Sequence, residues 1–453
     1  MKTQSVWLGA IALVSFIVSS ALSIPAFGGD VLTEVLREKG VISKEDWARI
    51  EADREKQAAG PQEEKKSADF PIRMEYLPGK GLLFESRDGK YSTRIHWRFQ
   101  TRFSFPMDGD PITPANFNTG DTTTLQLKRA RIKVAGHLNK PWIEYYLQYN
   151  WPTSTLYDFR FEFSKYKWLG LLIGLDKIPF NREWMTSSRA QMAADRSLIQ
   201  RQFTSGRSVG ATLLGHLFPG TAADLNYWIG IWTGTGITQA TNDDNNPLYV
   251  ARLQWNPLGR SVGFYFTDAS FSEKPELSLA FAAMNNVSPY TRWNDNGGVG
   301  GMMTELFLCG TTACSSTNTK GFNGQFRDNQ LMAELAFHYR GWAVEHEFHW
   351  KTITDNVNHT KTAMFGSFAQ VSYFPHYIIP AIPKPLNLGV RYAFVKPSAG
   401  MPTGLRQEYT GAVNWFILGH NDKITLDYSY LTLDALSGAP SYNRVRLQWE
   451  LQF

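Results

Sequence analysis

The stretch Ser92-Thr93-Arg94-Ile95-His96-Trp97-Arg98-Phe99-Gln100-Thr101-Arg102-Phe103 alternates with a period of two. Its even positions are polar and mostly cationic, and its odd positions are apolar or aromatic except for Thr93 and Thr101. Successive side chains of a β-strand point to opposite faces. This strand therefore has one cationic face and one greasy face. A soluble sandwich would alternate in the same way, so recurrence along the chain has to decide. Trp142–Trp151 sets Ile143, Tyr145, Leu147, Tyr149 and Trp151 against Glu144, Tyr146, Gln148 and Asn150. Tyr157, Phe159, Phe161 and Phe163 alternate with Asp158, Arg160 and Glu162. The chain ends on Val445, Leu447, Trp449, Leu451 and Phe453 against Arg444, Arg446, Gln448, Glu450 and Gln452. Charges on one face and uniformly bulky residues on the other suit a wall with water on one side and lipid on the other.

The pattern predicts an all-β chain, a 16-stranded antiparallel transmembrane β-barrel, preceded by a short N-terminal periplasmic helical segment. Strands are expected near 92–103, 123–138, 141–151, 156–164, 168–177, 207–217, 223–233, 248–257, 277–285, 329–340, 341–353, 362–374, 386–395, 408–417, 422–433 and 442–453. Residues 81–90 could add a hairpin and raise the count to eighteen. Turns on one side are tight, with longer ones at 258–276 and 376–385. The other side carries loops near 104–122, 178–206, 234–247 and 286–328. Lys128 breaks the alternation and is assigned to the apolar face near a rim.

The 453 residues include 15 Trp, 19 Tyr and 29 Phe and carry net charge +5. Disordered, collagenous and disulfide-dense classes are excluded on composition. Past the N-terminus no apolar run is long enough for a helical span. Residues 1–26 read as a signal peptide: a basic start, an apolar stretch from Val6 to Val18, then small residues. Residues 27–69 read as a helical, coiled-coil-like segment and linker, and 70–453 as the barrel. The charge divides unevenly, net −3 over 26–69 and net +7 over 70–453. A positive body points to an anionic partner. Cys309 and Cys314, the only cysteines, sit in the longest outer loop and read as a loop disulfide in an oxidising compartment. They leave little room for a metal cluster, and no cofactor or nucleic-acid partner is implied.

Several stretches resemble the phosphate-selective porins O and P. They are Gly81–Lys90 with Arg94–Phe103, Leu127–Gly136, Gly174–Phe180, Thr186–Arg189, Asp195–Leu198 and Gly206–Gly210. The resemblance implies a sixteen-stranded trimeric barrel in the outer membrane of a Gram-negative bacterium. It implies passage of small anions, phosphate or polyphosphate among them, past arginines and lysines. Phe453 resembles the terminal aromatic read by barrel-assembly machinery.

On polar-face parity the first two strands place Arg94, Arg98, Arg102, Arg129, Arg131 and Lys133. The 178–206 segment adds Arg182, Arg189, Arg196 and Arg201, flanked by Lys177 and Arg207. In barrels of this size such a loop commonly folds inward, so these twelve cations are the expected anion pathway. Guanidinium forks match oxyanions and stay charged. The competing reading is structural, each arginine paired with an acid across the wall. An enzyme is not expected, and no His-Glu-x-x-His occurs. A non-conducting barrel that sheaths an electron-transfer partner or acts as an adhesin is the alternative.

Overall fold

The computed structural model describes residues 72–111, 123–204, 206–237, 241–242, 244–293, 299–301, 321–398, 403–435 and 439–453. The expected signal peptide, the 27–69 segment, Cys309 and Cys314 lie outside the described residues.

A hairpin, β1 (Ile72–Leu77) and β2 (Gly81–Ser86), precedes the barrel. The barrel strands are β3 (Tyr91–Phe105), β4 (Thr124–Leu138), β5 (Lys140–Asn150), β6 (Thr155–Tyr166), β7 (Leu169–Lys177), β8 (Arg207–Leu217), β9 (Leu225–Trp232) and β10 (Leu248–Trp255). After them come β11 (Glu276–Ser288), β14 (Phe326–Tyr339), β15 (Trp342–Asp355), β16 (Thr360–Tyr373), β17 (Leu386–Pro397), β18 (Thr403–Phe416), β19 (Asp422–Ala435) and β20 (Ser441–Gln452). Two short strands, β12 (Arg292–Trp293) and β13 (Val299–Gly301), pair within the β11–β14 connection. Each barrel strand pairs antiparallel with its neighbours, and all sixteen fall where the alternation puts them.

The ring closes where β20 pairs with β3, from Val445↔Phe105 to Gln452↔Arg98. Phe453 continues this seam: its N–H donates to the Trp97 carbonyl (3.0 Å), and its carbonyl accepts the Trp97 N–H (2.8 Å). Its ring also stacks on Trp97 and Phe99. Beyond that point β2 takes over the β3 edge, from Leu82↔Ile95 to Glu85↔Ser92. The barrel therefore has sixteen strands, and the extra hairpin lengthens its seam. In lipid an unpaired strand edge is untenable, so this continuity is what permits a spanning wall.

Side-chain parity follows the closure. On β20, Arg444, Arg446, Gln448 and Glu450 are buried inside, while Leu447 and Trp449 are nearly half exposed outside. Phe159 is likewise 45 % exposed. Lys128 departs from expectation. The β3–β4 register shifts there, from Gln100↔Arg129 to Thr101↔Leu127. The extra residue of this bulge reverses the parity. Lys128 consequently turns to Asp108, an acid it shares with the inward Arg102.

The interior is filled, mainly by the 178–206 segment. That segment includes two short turns of helix, α1 (Arg182–Met185) and α2 (Gln200–Phe203). Met192, Ile199 and Phe203 pack with inward apolar residues of the far wall, among them Met364, Phe368, Val395 and Ala412. Two wall glycines make the seat. A Cβ at Gly366 would lie 2.1 Å from the Phe203 ring, and one at Gly389 would lie 2.3 Å from Met192 Sδ. Phe266, from the 256–275 connection at the opposite end of the barrel, joins the same cluster.

An arginine placed mid-strand on the outer face should be costly. Leu447→Arg is expected to lose about 2–4 kcal/mol of barrel stability. Reversible urea unfolding in lipid vesicles measures it, and a loss below about 1 kcal/mol would contradict a lipid-facing position.

Candidate functional site

The loop is held to the far wall by carboxylates. Arg182 forms an ion pair with Glu345, its Nε 2.8 Å from Oε2, and the Arg182 backbone N–H donates to Glu334 Oε2 at 3.1 Å. Glu334 is also gripped by both Nη atoms of Arg252 at 2.8 Å. Glu347 accepts the Glu183 N–H (2.6 Å) and Asn181 Nδ2 (3.0 Å). Further round, Glu408 accepts the Leu198 N–H and Asp427 the Ala194 N–H. Lys423 and Asn414 donate to the carbonyls of Gln191 and Met192. Within the loop, Glu183 accepts the Ser197 N–H and hydroxyl, and Arg196 donates to the carbonyls of Glu183 and Thr186. Breaking a buried ion pair such as Arg182–Glu345 generally costs about 3–5 kcal/mol, and these contacts together hold the loop to β14, β15, β18 and β19.

The 256–275 connection enters from the end with the short turns and interlocks with the loop. The Phe266 N–H donates to the Ala190 carbonyl at 2.9 Å. Arg182 donates to the carbonyls of Val262 and Gly263. Tyr265 stacks on His420, which hydrogen-bonds Thr267. Nothing in the period of this stretch marks it as inward-folding, and the sequence predicts only a longer turn there.

Space remains on the other side, along β3–β8. One cavity of about 190 Å³ brings together Arg129, Arg131, Lys133, Lys177, Arg196 and Arg207, with Arg160, Asp158 and Asp176. A second, about 450 Å³ and nearer the short turns, is lined by Lys80, Arg94, His96, Lys133, Arg189, Tyr265 and His420, and no carboxylate lines it. A third, about 260 Å³, includes Arg94, Arg160, Glu144 and Glu162. Tyr146 lines all three, and Lys133 lines the first two.

The twelve expected cations divide by partner. Arg98 is bidentate on Glu450. Arg102 binds Asp108 and Asp195, each at 2.8 Å, and Arg129 lies 3.7 Å from Asp195. Arg207 binds Asp158 at 2.8 Å. Arg182 is a clamp on the far wall, away from these cavities. Arg201 lies apart, beside Asp110, Gln202 and Arg406. Arg94, Arg131, Lys133, Lys177, Arg189 and Arg196 form no ion pair with an acid among the described residues. Arg131 binds Asn150 (3.1 Å), Arg189 binds Asn421 (2.8 Å), and Lys177 caps the carbonyls of Trp184, Met185 and Thr186.

Aromatic faces hold these like charges together. Arg131 and Arg207 lie 4.6 and 4.9 Å from the Tyr157 ring centre. Lys177, Arg196 and Arg207 lie 4.9–5.2 Å from Trp184. A ring quadrupole attracts a cation without cancelling its charge. The sequence reading missed Trp184 and Tyr157 in this role, and also Arg160, paired with Asp176. The inward parity of Tyr157 depends on the shift in β5–β6 pairing between Gln148 and Tyr149, which simple alternation does not reveal. Gly206-Arg207-Ser208-Val209-Gly210 spells Gly-x-Ser-x-Gly. Ser208 lies within strand β8, however, and its Oγ accepts the Gly236 N–H, unlike a nucleophile on a strand-to-helix turn.

A family model described as phosphate-selective porin O and P matches residues 99–453. The anion-selective porin from Comamonas acidovorans is similar in fold, with TM-score 0.51 at 8 % identity, covering 80 % of this chain and 100 % of that one. The outer membrane channel DcaP of Acinetobacter baumannii gives TM-score 0.50 at 10 % identity, with 83 % and 100 % coverage. A loop-deletion form of OmpT, an outer membrane protein of Vibrio cholerae, gives TM-score 0.50 at 10 % identity, with 80 % and 100 % coverage. No curated protein matches the sequence.

Burial and the neighbouring Glu347 push the Glu183 carboxyl up to about 8. The protonated acid is thus the form the docked loop favours, so its contribution is present at low pH and lost as pH rises through about 8. Raising pH from 7 to 9 should speed tryptic cleavage at Arg189 and Arg196, and Glu183→Gln should flatten that dependence. Equal pH sensitivity in the variant would contradict the assignment.

Proposed function

The chain belongs to the phosphate-selective porin O and P family, and on that premise we propose that this outer-membrane channel passes small anions by passive diffusion. The observation that carries the proposal is the group of six cations on the β3–β8 side that form no ion pair with an acid among the described residues. Carboxylates of the far wall are engaged by the loop and its clamps, so the two sides of the lumen differ in net field. Fixed positive charge admits anions and repels cations, and a low-dielectric surrounding strengthens each contact relative to water. An anion would meet Arg196 and Lys177 first, then Arg131 and Lys133, then Arg94 and Arg189. Several spaced, weak sites allow release as well as capture, which throughput requires.

Inorganic phosphate and polyphosphate are the proposed substrates, because guanidinium forks match their oxygens. The mechanism makes and breaks no bond. Export by the 1–26 signal peptide, a periplasmic 27–69 segment, a homotrimer and recognition of Phe453 by barrel-assembly machinery belong to the same proposal, as does a Cys309–Cys314 disulfide.

The test is single-channel recording on the full protein. Arg131→Ala with Lys133→Ala should lower the anion-to-cation permeability ratio several-fold. An unchanged ratio would overturn the pathway. Phosphate titrated into chloride should block current at submillimolar concentration, and absence of block would overturn the phosphate assignment while leaving general anion passage.

A further inference from the structure

The outer face of the wall is not uniformly greasy. A groove of about 550 Å³ runs over β9, β10, β11, β14 and β15, and 300–1,000 Å³ is the size range of ordinary ligand clefts. Its floor includes the small side chains Ala251 and Ala283, and its banks are Ile229, Tyr249, Leu331 and Trp350. At its end nearest the long loops, Asn285 Nδ2 donates to Asn329 Oδ1 at 2.6 Å. This amide pair lies three residues from the loop-side ends of β11 and β14.

Two exposed cations, Arg327 and Lys361, stand beside that end, and a third, Lys396, lies on β17 in the register row of the trough itself. Arg327 is two residues above Asn329 on the same outward parity, and the register row Arg327↔Thr354↔Lys361 brings Lys361 to the same level. Lys396 continues the row of Trp350 and Phe365. None of the three forms an ion pair with an acid among the described residues. On the loop-side half of the wall, the outward-facing Lys and Arg of the described strands are these three, so the positive charge is confined to β14, β16 and β17.

Charge above, amide below it and an apolar trough toward the membrane centre match a single amphiphile standing upright. We propose that this face binds a phosphorylated, acylated glycolipid of the outer leaflet, its phosphate on Arg327 and Lys361 and an acyl chain in the trough. Cations at a membrane interface attract anionic headgroups, and the wall's interior alternation gives no reason for three on one outer sector. The inference uses the outer-membrane location and is independent of ion selectivity.

The experiment uses the full protein in phosphatidylcholine nanodiscs, with purified lipid A and its dephosphorylated form as probes, read by quenching of tryptophan by a brominated acyl chain and by native mass spectrometry. Wild type should bind lipid A in preference to the dephosphorylated form. Arg327→Ala with Lys361→Ala should weaken lipid A binding roughly 30-fold and abolish that preference. Ala283→Trp, which fills the trough and keeps the cations, should weaken both probes. Channel conductance on each variant confirms a folded barrel. Equal binding of both probes by wild type would overturn the proposal. So would a trough variant that changes the number of chains per particle and leaves lipid A binding intact, which would assign the groove to a second copy.

Discussion

A spanning sheet cannot keep a free edge in hydrocarbon, and the other features follow from how this chain meets that constraint. β20, the Phe453 backbone and β2 share the single edge of β3 between them, so the seam is hydrogen-bonded along its length. Closure makes the inward positions the lining of an enclosed, partly filled lumen and the outward positions the face toward lipid. A two-residue repeat in sequence thereby becomes a difference of solvent.

Inside, the decisive fact is how charge is distributed. The chain is only modestly basic, and many inward arginines are neutralised by acids across the wall. Acids concentrate on β14–β19, where Glu334, Glu345, Glu347, Glu408 and Asp427 hold wall cations and the loop backbone. With those carboxylates engaged in docking, the β3–β8 side keeps cations held by aromatic rings, carbonyls and side-chain amides. The loop therefore does two things: it fills the acidic side and brings Arg196 to the cationic side, beside Lys177 at the end of β7.

Strand positions were legible because alternation is local and repeated sixteen times. The inward turn of the 178–206 loop is legible from its length and its place on the long-loop side, and Arg129, Arg131, Lys133, Lys177, Arg196 and Arg207 do meet in one cavity. Which cations are free was not legible. Arg98 finds Glu450 and Arg182 finds Glu345 across more than 150 residues of chain, and only the closed register puts them together. Lys128 was misplaced because a bulge adds one residue and inverts the parity. The far wall does carry a sequence signal for the loop's seat: β16 has Met364 and Phe368 inward as well as Phe365 outward. A strand apolar on both faces is covered on both faces, here by lipid outside and by Phe203 and Phe266 inside.

On the proposed function, the cations that form no ion pair among the described residues, along one side of a closed tube, set the sign of its selectivity. The most direct measurement is the zero-current potential of the unmodified protein in a planar bilayer under a tenfold potassium chloride gradient. The account predicts a potential displaced toward the chloride equilibrium value. A displacement toward the potassium value would contradict it.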